Sequence, residues 1–214
     1  MTVRGVEQIP WLYDAMCAVM EWAGLSRWRS WLVEGARGRT LEVGCGTGRN
    51  LPRYGAEVTL IGLEPDADAL SVAKARAPDR PLVRASAEAL PFRDGAFDTV
   101  VSSLVFCSVP RPEAGLAEVR RVLKDDGQLR MLEHVRHDAP ALGWLQDTIQ
   151  PAWTVVAGGC HPNRRTEATV EASGFRILPD GRRGDGTMRR FVAVKSPSEG
   201  HADGAAEPKP SREG

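Results

Sequence analysis

No run of the chain approaches the roughly 18 uninterrupted apolar residues that crossing a bilayer requires, and the N-terminus lacks a charged start, an apolar stretch and a small-residue cleavage site. Neither a transmembrane segment nor export is expected, so the expected location is the cytoplasm. An excess of one charge is missing too: 28 Lys and Arg balance 28 Asp and Glu, and the Arg-rich stretches are interleaved with acids. Without a basic face to neutralise phosphates, a nucleic-acid partner is not expected. Cysteine is scarce: Cys17, Cys45, Cys107 and Cys160 form no CxxC pair, which argues against a zinc ribbon or a disulfide framework and for reduced thiols. Cys107, Cys160, His134 and His161 fall on separate elements with no local ligand spacing, so no metal site is expected.

What is present suits one packed domain. The 214 residues are 42% hydrophobic and 26% charged, close to the globular average, and a single core keeps growing up to about 250–300 residues. Leu12, Ala15, Met16, Val19 and Ala23 recur at helical spacing, as do Leu25, Trp28 and Leu32, giving two amphipathic helices before the first strand. TLEV then runs into Gly44, Gly46 and Gly48, which is how a buried parallel strand meets a helix. VTLIGL at 58–63 ends in Glu64 and Pro65 and leads into a helix from Ala67; further strands are expected at 81–84 and 97–106. Leu116, Val119, Val122 and Leu123 share a helical face, followed by a KDDG turn and the strand QLRMLEHV. This alternation demands a parallel sheet with helices on both faces.

The rhythm then breaks. Leu142, Leu145, Ile149 and Trp153 keep helical spacing, but Pro151 lacks an N–H, so a kink or two short helices are expected. A helix over 163–173 and two closing strands, FRIL and MRRFVAV, follow. Residues 196–214 are polar and rich in Ser, Pro, Glu and Gly, and are expected to be a disordered tail. The resulting division is one domain over 1–195: a helical cap at 1–36, a cofactor-binding core at 37–135, and substrate-side helices with closing strands at 136–195.

In open α/β sheets, ligands sit beyond the carboxyl ends of the strands, beside the loop after the first strand. That loop is GCGTG, whose glycines let the backbone approach a ligand closely while the following N–H groups face a carboxylate. Cys45 reads as a small packing residue within it. Glu64, twenty residues after Gly44 at the end of the second strand, can accept hydrogen bonds from both hydroxyls of a ribose. Arg49 stands where a G-x-G-x-x-G dinucleotide loop has its third glycine, and no G-x-x-x-x-G-K-[ST] exists, so neither a dinucleotide fingerprint nor a P-loop is present.

LEVGCGTG, Glu64, SAEALPFRDGAFDTVVSS and VLKDDGQL, in this order and spacing, resemble the successive motifs of the class I methyltransferases over roughly residues 39–135, with weaker likeness to about 195. The resemblance implies a Rossmann-like α/β fold, a seven-stranded, mostly parallel sheet with an antiparallel C-terminal hairpin, and S-adenosylmethionine as cofactor. It would set Gly44 and Gly46 against the methionine part, Glu64 on the ribose, Pro65 on the adenine face, Ala87 at the adenine edge and Ser102 near the sulfonium. Glu42, Cys45, Ser86 and Glu88 complete the expected cofactor-binding set. Two departures stand out: Ser86 occupies a position where the family often has Asp, leaving adenine readout to a hydroxyl or to backbone, and Asp125 and Asp126 replace Pro-Gly in a surface turn.

LVFCSV, RMLEHV, Pro151-Ala152-Trp153 and GGCHPNRRT further resemble the subgroup that includes the mammalian membrane-associated alkyl-thiol methyltransferases, without their apolar N-terminal anchor. The implied reaction is S-methylation of a small thiol or sulfide. The alternatives are N-methylation of a lipid amine such as phosphatidylethanolamine, with peripheral membrane contact, and a cofactor-binding domain without turnover; an NAD dehydrogenase is a further rival. A thiolate needs no dedicated base; if one acts, His134 and His161 are the candidates. Trp11, Trp28, Trp31, Trp144 and Trp153 either roof an apolar substrate pocket or pack their helices on the sheet, and Arg164 and Arg165 read as solvated charges at a helix start.

Overall fold

A computed structural model of the chain describes residues 5–197, so most of the expected C-terminal tail lies outside the described residues. Seven strands, β1 (Arg39–Val43), β2 (Thr59–Leu63), β3 (Leu82–Val83), β4 (Phe97–Ser103), β5 (Leu123–His134), β6 (Phe175–Asp185) and β7 (Met188–Lys195), form one sheet in the order β3-β2-β1-β4-β5-β7-β6. The β1–β2, β1–β4, β2–β3 and β4–β5 pairs are parallel, while β7 runs antiparallel to both β5 and β6. The strand order reverses between β1 and β4, and that is where the carboxyl ends open a crevice.

Period-two alternation sorts the strand side chains onto two cores. Leu41, Val43, Val100, Leu129 and Met131 face one side, where they meet Leu116, Val119 and Val122 of α4 (Pro112–Val122) and Val170 of α6 (Thr166–Ala172). Leu60, Val101 and Leu132 face the other, against Leu32 and Val33 of α2 (Ser26–Glu34) and Ala73 of α3 (Ala67–Arg76). Asp66 caps α3 by accepting the Ala69 N–H at 2.8 Å. Ahead of α2, α1 (Pro10–Met20) joins it through a wide turn at Glu21–Leu25.

Two local expectations differ from what is found. Residues 124–127 are not a free turn but the bulged start of β5: pairing jumps from Phe97↔Leu123 to Thr99↔Gln128, and Asp125 accepts an ion pair from Lys195 of β7 at 2.9 Å. Nor does Pro151 split its segment, since α5 (Pro140–Ala157) runs through it. The carbonyl that Pro151 cannot serve belongs to Asp147; both residues are exposed, so water can take the place of the missing donor.

Candidate functional site

A cavity of about 760 Å³ opens at the carboxyl ends of β1, β2 and β4. Gly44, Gly46, Leu63, Glu64 and Pro65 form one side, Ser86 and Ala87 an end, and Ser103–Val105 with Ser108–Pro110 the other side. Gln8, Tyr13 and Gly158 close it from above, and the Gln8 amide donates to the Gly158 carbonyl at 3.2 Å, joining the N-terminal segment to the end of α5.

Backbone chemistry explains the loop. Gly44 (φ +65°) and Gly46 (φ +54°) are left-handed, a conformation costly for side-chain-bearing residues. A Cβ on Gly44 would strike Val105 Cγ2 at 2.5 Å, whereas one on Gly46 would meet no atom within 4 Å. The Glu64 carboxylate locks this loop: Oε2 accepts the Gly46 N–H at 2.9 Å and Oε1 the Asp66 N–H at 3.0 Å. Burial raises its pKa above the usual carboxylate range, and these two N–H donors pull the other way. From outside, α1 and the turn after it clamp the loop: Asp14 accepts the Thr47 hydroxyl at 2.6 Å and pairs with Arg76 at 2.5 Å, and Arg49 pairs with Glu21 at 2.8 Å.

Of the ten residues expected around a cofactor, Gly44, Gly46, Glu64, Pro65, Ser86 and Ala87 line the cavity, and Glu42, Cys45, Glu88 and Ser102 do not. Alternation turns Glu42 to the far face of β1, where it is fully buried, accepts the Asn50 amide at 2.8 Å, and has its pKa pushed up to about 7 by desolvation. Asn50 in turn accepts from buried Arg29 at 2.9 Å. The Cys45 thiol points inward against Gly62 and the second core, and burial raises its pKa. Glu88 accepts both the backbone N–H and Nε of Arg111, at 3.0 and 3.1 Å. On β4 it is Ser103, not Ser102, that reaches the cavity.

Ser102 instead donates at 3.0 Å to Glu133, a wholly buried carboxylate on β5 that sequence reading missed. Glu133 also accepts the N–H groups of Val105 and Phe106 at 3.1 Å and of Cys107 at 3.4 Å, so one side chain shapes the loop after β4. Desolvation raises its pKa and the donors oppose this. In the same loop Leu104 adopts φ +60°, a conformation uncommon for a residue with a side chain, while its N–H donates to Leu132 at 2.7 Å. Arg164, read from sequence as solvated, braces this loop by donating to the carbonyls of Phe106 and, at 2.7 Å, Val109. No local sequence pattern signals these contacts.

His134 and His161 do not line the cavity. The His161 ring sits 2.7 Å from the Gly159 carbonyl, and the His161 backbone N–H donates to the Cys107 carbonyl at 2.8 Å. His134 lies with Cys107 and Cys160, their ligand atoms all within 4.8 Å of one another, despite the absence of any spacing signature. The Cys107 hydrogen bond draws the Cys160 pKa below the ordinary thiol range, with His134 acting the same way against burial.

None of the tryptophans lines the cavity. Trp28 and Trp31 pack on the second core under the Arg190 and Arg130 guanidiniums, whereas Trp11 (73%), Trp22 (91%) and Trp144 (67%) are exposed. Among the described residues no helix is long and apolar enough to cross a membrane.

Comparison with known proteins agrees with this fold. The model of the methyltransferase domain family matches residues 41–131, the segment that holds the glycine loop, Glu64 and Glu88. The Xylella fastidiosa ubiquinone/menaquinone biosynthesis C-methyltransferase UbiE is 30% identical over 197 residues, covering 76% of this chain and 77% of that protein. The chain belongs to the class I methyltransferase family. S-adenosylmethionine is the cofactor of this family. The chain is also 37% identical over 145 residues to the rat (Rattus norvegicus) thiol S-methyltransferase TMT1B, covering 63% of its own length. It spans about three fifths (59%) of that relative's length. A solved structure, a SAM-dependent methyltransferase of Thermotoga maritima, superposes with a TM-score of 0.67 at 22% identity over 89% of this chain and 97% of that one, a likeness of fold.

Proposed function

We propose that this methyltransferase transfers the methyl group of S-adenosylmethionine to the sulfur of a small thiol or sulfide. The observation that carries the proposal is the identity to the thiol S-methyltransferase. A cytoplasmic setting is part of the same reading and rests on the four unbridged thiols.

The cavity residues fit the cofactor. Its volume lies within the range of about 300–1,000 Å³ typical of small-molecule sites. The position where a Gly46 side chain would stand is open, which suits close approach of an amino-acid moiety. Each Glu64 oxygen accepts one backbone N–H and keeps a lone pair for a sugar hydroxyl. Gly44 and Gly46 would hold the methionine end, Pro65, Ser86 and Ala87 the base, and Ser103 replaces Ser102 as the β4 residue nearest the reacting end. When bound, the cofactor supplies an electrophilic methyl on a sulfonium with a good leaving group. The chain's part is alignment and exclusion of water. No imidazole or amine side chain stands among the described lining residues, which suits an acceptor that arrives as its own thiolate.

The test is labelled cofactor offered with sulfide, small thiols, amines and phospholipids. Label on sulfur is expected, with a rate rising about tenfold per pH unit below the acceptor's pKa, near 8.5 for a free thiol. Label on amine or lipid acceptors alone would refute the reading. One observation favours the lipid-amine alternative: Trp11, Val19 and Trp22 near the N-terminus and Trp144, Val155 and Val156 on α5 are exposed apolar side chains of the kind a lipid interface takes up. Co-sedimentation with phosphatidylethanolamine vesicles, coupled to methylation of the lipid, would decide for it.

A further inference from the structure

We propose that Cys107, His134 and Cys160 form a binding site for one zinc-class divalent ion, separate from the cofactor cavity. Two thiols and an imidazole are the donor set that such ions prefer, and here they converge from three parts of the chain: the loop after β4, the end of β5 and the segment after α5. Their ligand atoms lie within 4.8 Å of one another. Tetrahedral zinc, with bonds of about 2.3 Å to sulfur and 2.0–2.1 Å to nitrogen, would bring them to roughly 3.5–3.8 Å, so binding needs only a small contraction. Both cysteines are 1% exposed and share an apolar wall with Ala157.

The backbone bearing the ligands is tied down, as outer-shell contacts of metal sites are. Glu133 accepts the Cys107 N–H, the Cys107 carbonyl accepts the His161 N–H, and Thr154 donates its hydroxyl to the Cys160 carbonyl at 3.1 Å. Gln150 supports Thr154 in turn, at 2.8 Å. These contacts hold the three donors together from elements whose sequence spacing carries no metal signature. Three protein ligands leave the fourth tetrahedral position to an outside donor such as water.

The experiment uses the full chain without an affinity tag, incubated with zinc chloride, desalted, and measured for metal by plasma mass spectrometry; cobalt(II) chloride is the second probe. About one zinc per chain is expected, and with cobalt the intense visible bands of a tetrahedral ion plus a sulfur-to-metal charge-transfer band. Cys160→Ser and His134→Gln, with unchanged circular dichroism, should lose affinity by more than the roughly 10–100-fold that follows loss of an outer-shell partner. The wild-type readouts stand even if a variant fails to fold. Retention of less than about a tenth of an equivalent of zinc by the reduced wild-type chain would overturn the site. So would a weak octahedral cobalt spectrum, or zinc uptake unchanged in both folded variants.

Discussion

The glycine-loop cradle and the thiol–imidazole cluster are adjacent in space and opposite in origin. The cradle is nearly local: Gly44 and Gly46 sit seven and five residues before the short helical turn at Leu51–Arg53, and Glu64 arrives at the end of the neighbouring parallel strand. The cluster joins residues 107, 134 and 160, none near another in sequence. What lies between them is Glu133, whose carboxylate holds a loop with Val105 lining the cavity at one end and Cys107 entering the cluster at the other. A site made by a short motif announces itself in the residues; a site made by convergence depends on buried groups that hold its parts in place.

Glu133→Ala is the change most apt to break this contrast, because it should damage both regions at once. Three backbone N–H groups lose their acceptor, so about 3 kcal/mol or more of stability should go, with Glu133→Gln losing less, as read by urea denaturation. An Ala variant as stable as wild type would show that the two regions are not joined through this side chain.

Next in size is a pH effect beneath the cradle. Glu42 has a folded-state pKa of about 7 against an ordinary value of 4.5, so the folded state holds its proton more tightly than the unfolded chain. Its contribution is complete below pH 4.5 and is lost as pH rises through 7, on the order of 3 kcal/mol in all. Glu42→Gln should therefore gain on wild type between pH 5 and pH 8 in thermal or denaturant unfolding. A parallel pair of stability curves would refute the buried, desolvated carboxylate.

Glu64→Ala sharpens the contrast by striking the cradle alone. Cofactor affinity should fall tenfold or more by calorimetry, reflecting about 1.5–3 kcal/mol for hydrogen bonds to a charged group. Gly46→Ala is gentler: no atom stands in its way, so only the left-handed strain of about 1–2 kcal/mol should appear as lost stability. Trp144→Ser, on an exposed face of α5, should shift stability by no more than about 0.5 kcal/mol. A larger loss would mean that this face is covered in solution.

Much of the fold was legible because its signals are short-range. Apolar runs ending in glycine or in Glu64-Pro65 mark strands that meet helices, and their alternation along the chain implies the parallel sheet, while the antiparallel closing hairpin is what the family resemblance implies. The motif resemblance set Ser102 and Glu42 at the cofactor, but neither lines the cavity, since a motif names a segment while the pleat decides which side chains point there. Helical periodicity found α1 and α5 but could not tell a buried stripe from an exposed one, so the roles weighed for Trp11 and Trp144 failed.

By itself the sequence determined the order of strands and helices, the glycine loop and the acidic residue beside it, because backbone freedom and hydrophobic period act over a few residues. Only the tertiary structure decided that Glu133 gathers the loop after β4, that Arg164 braces it, and that two cysteines and a histidine share one buried spot. Those arrangements come from desolvated polar groups finding partners across the fold, and no local pattern encodes which partner each will meet.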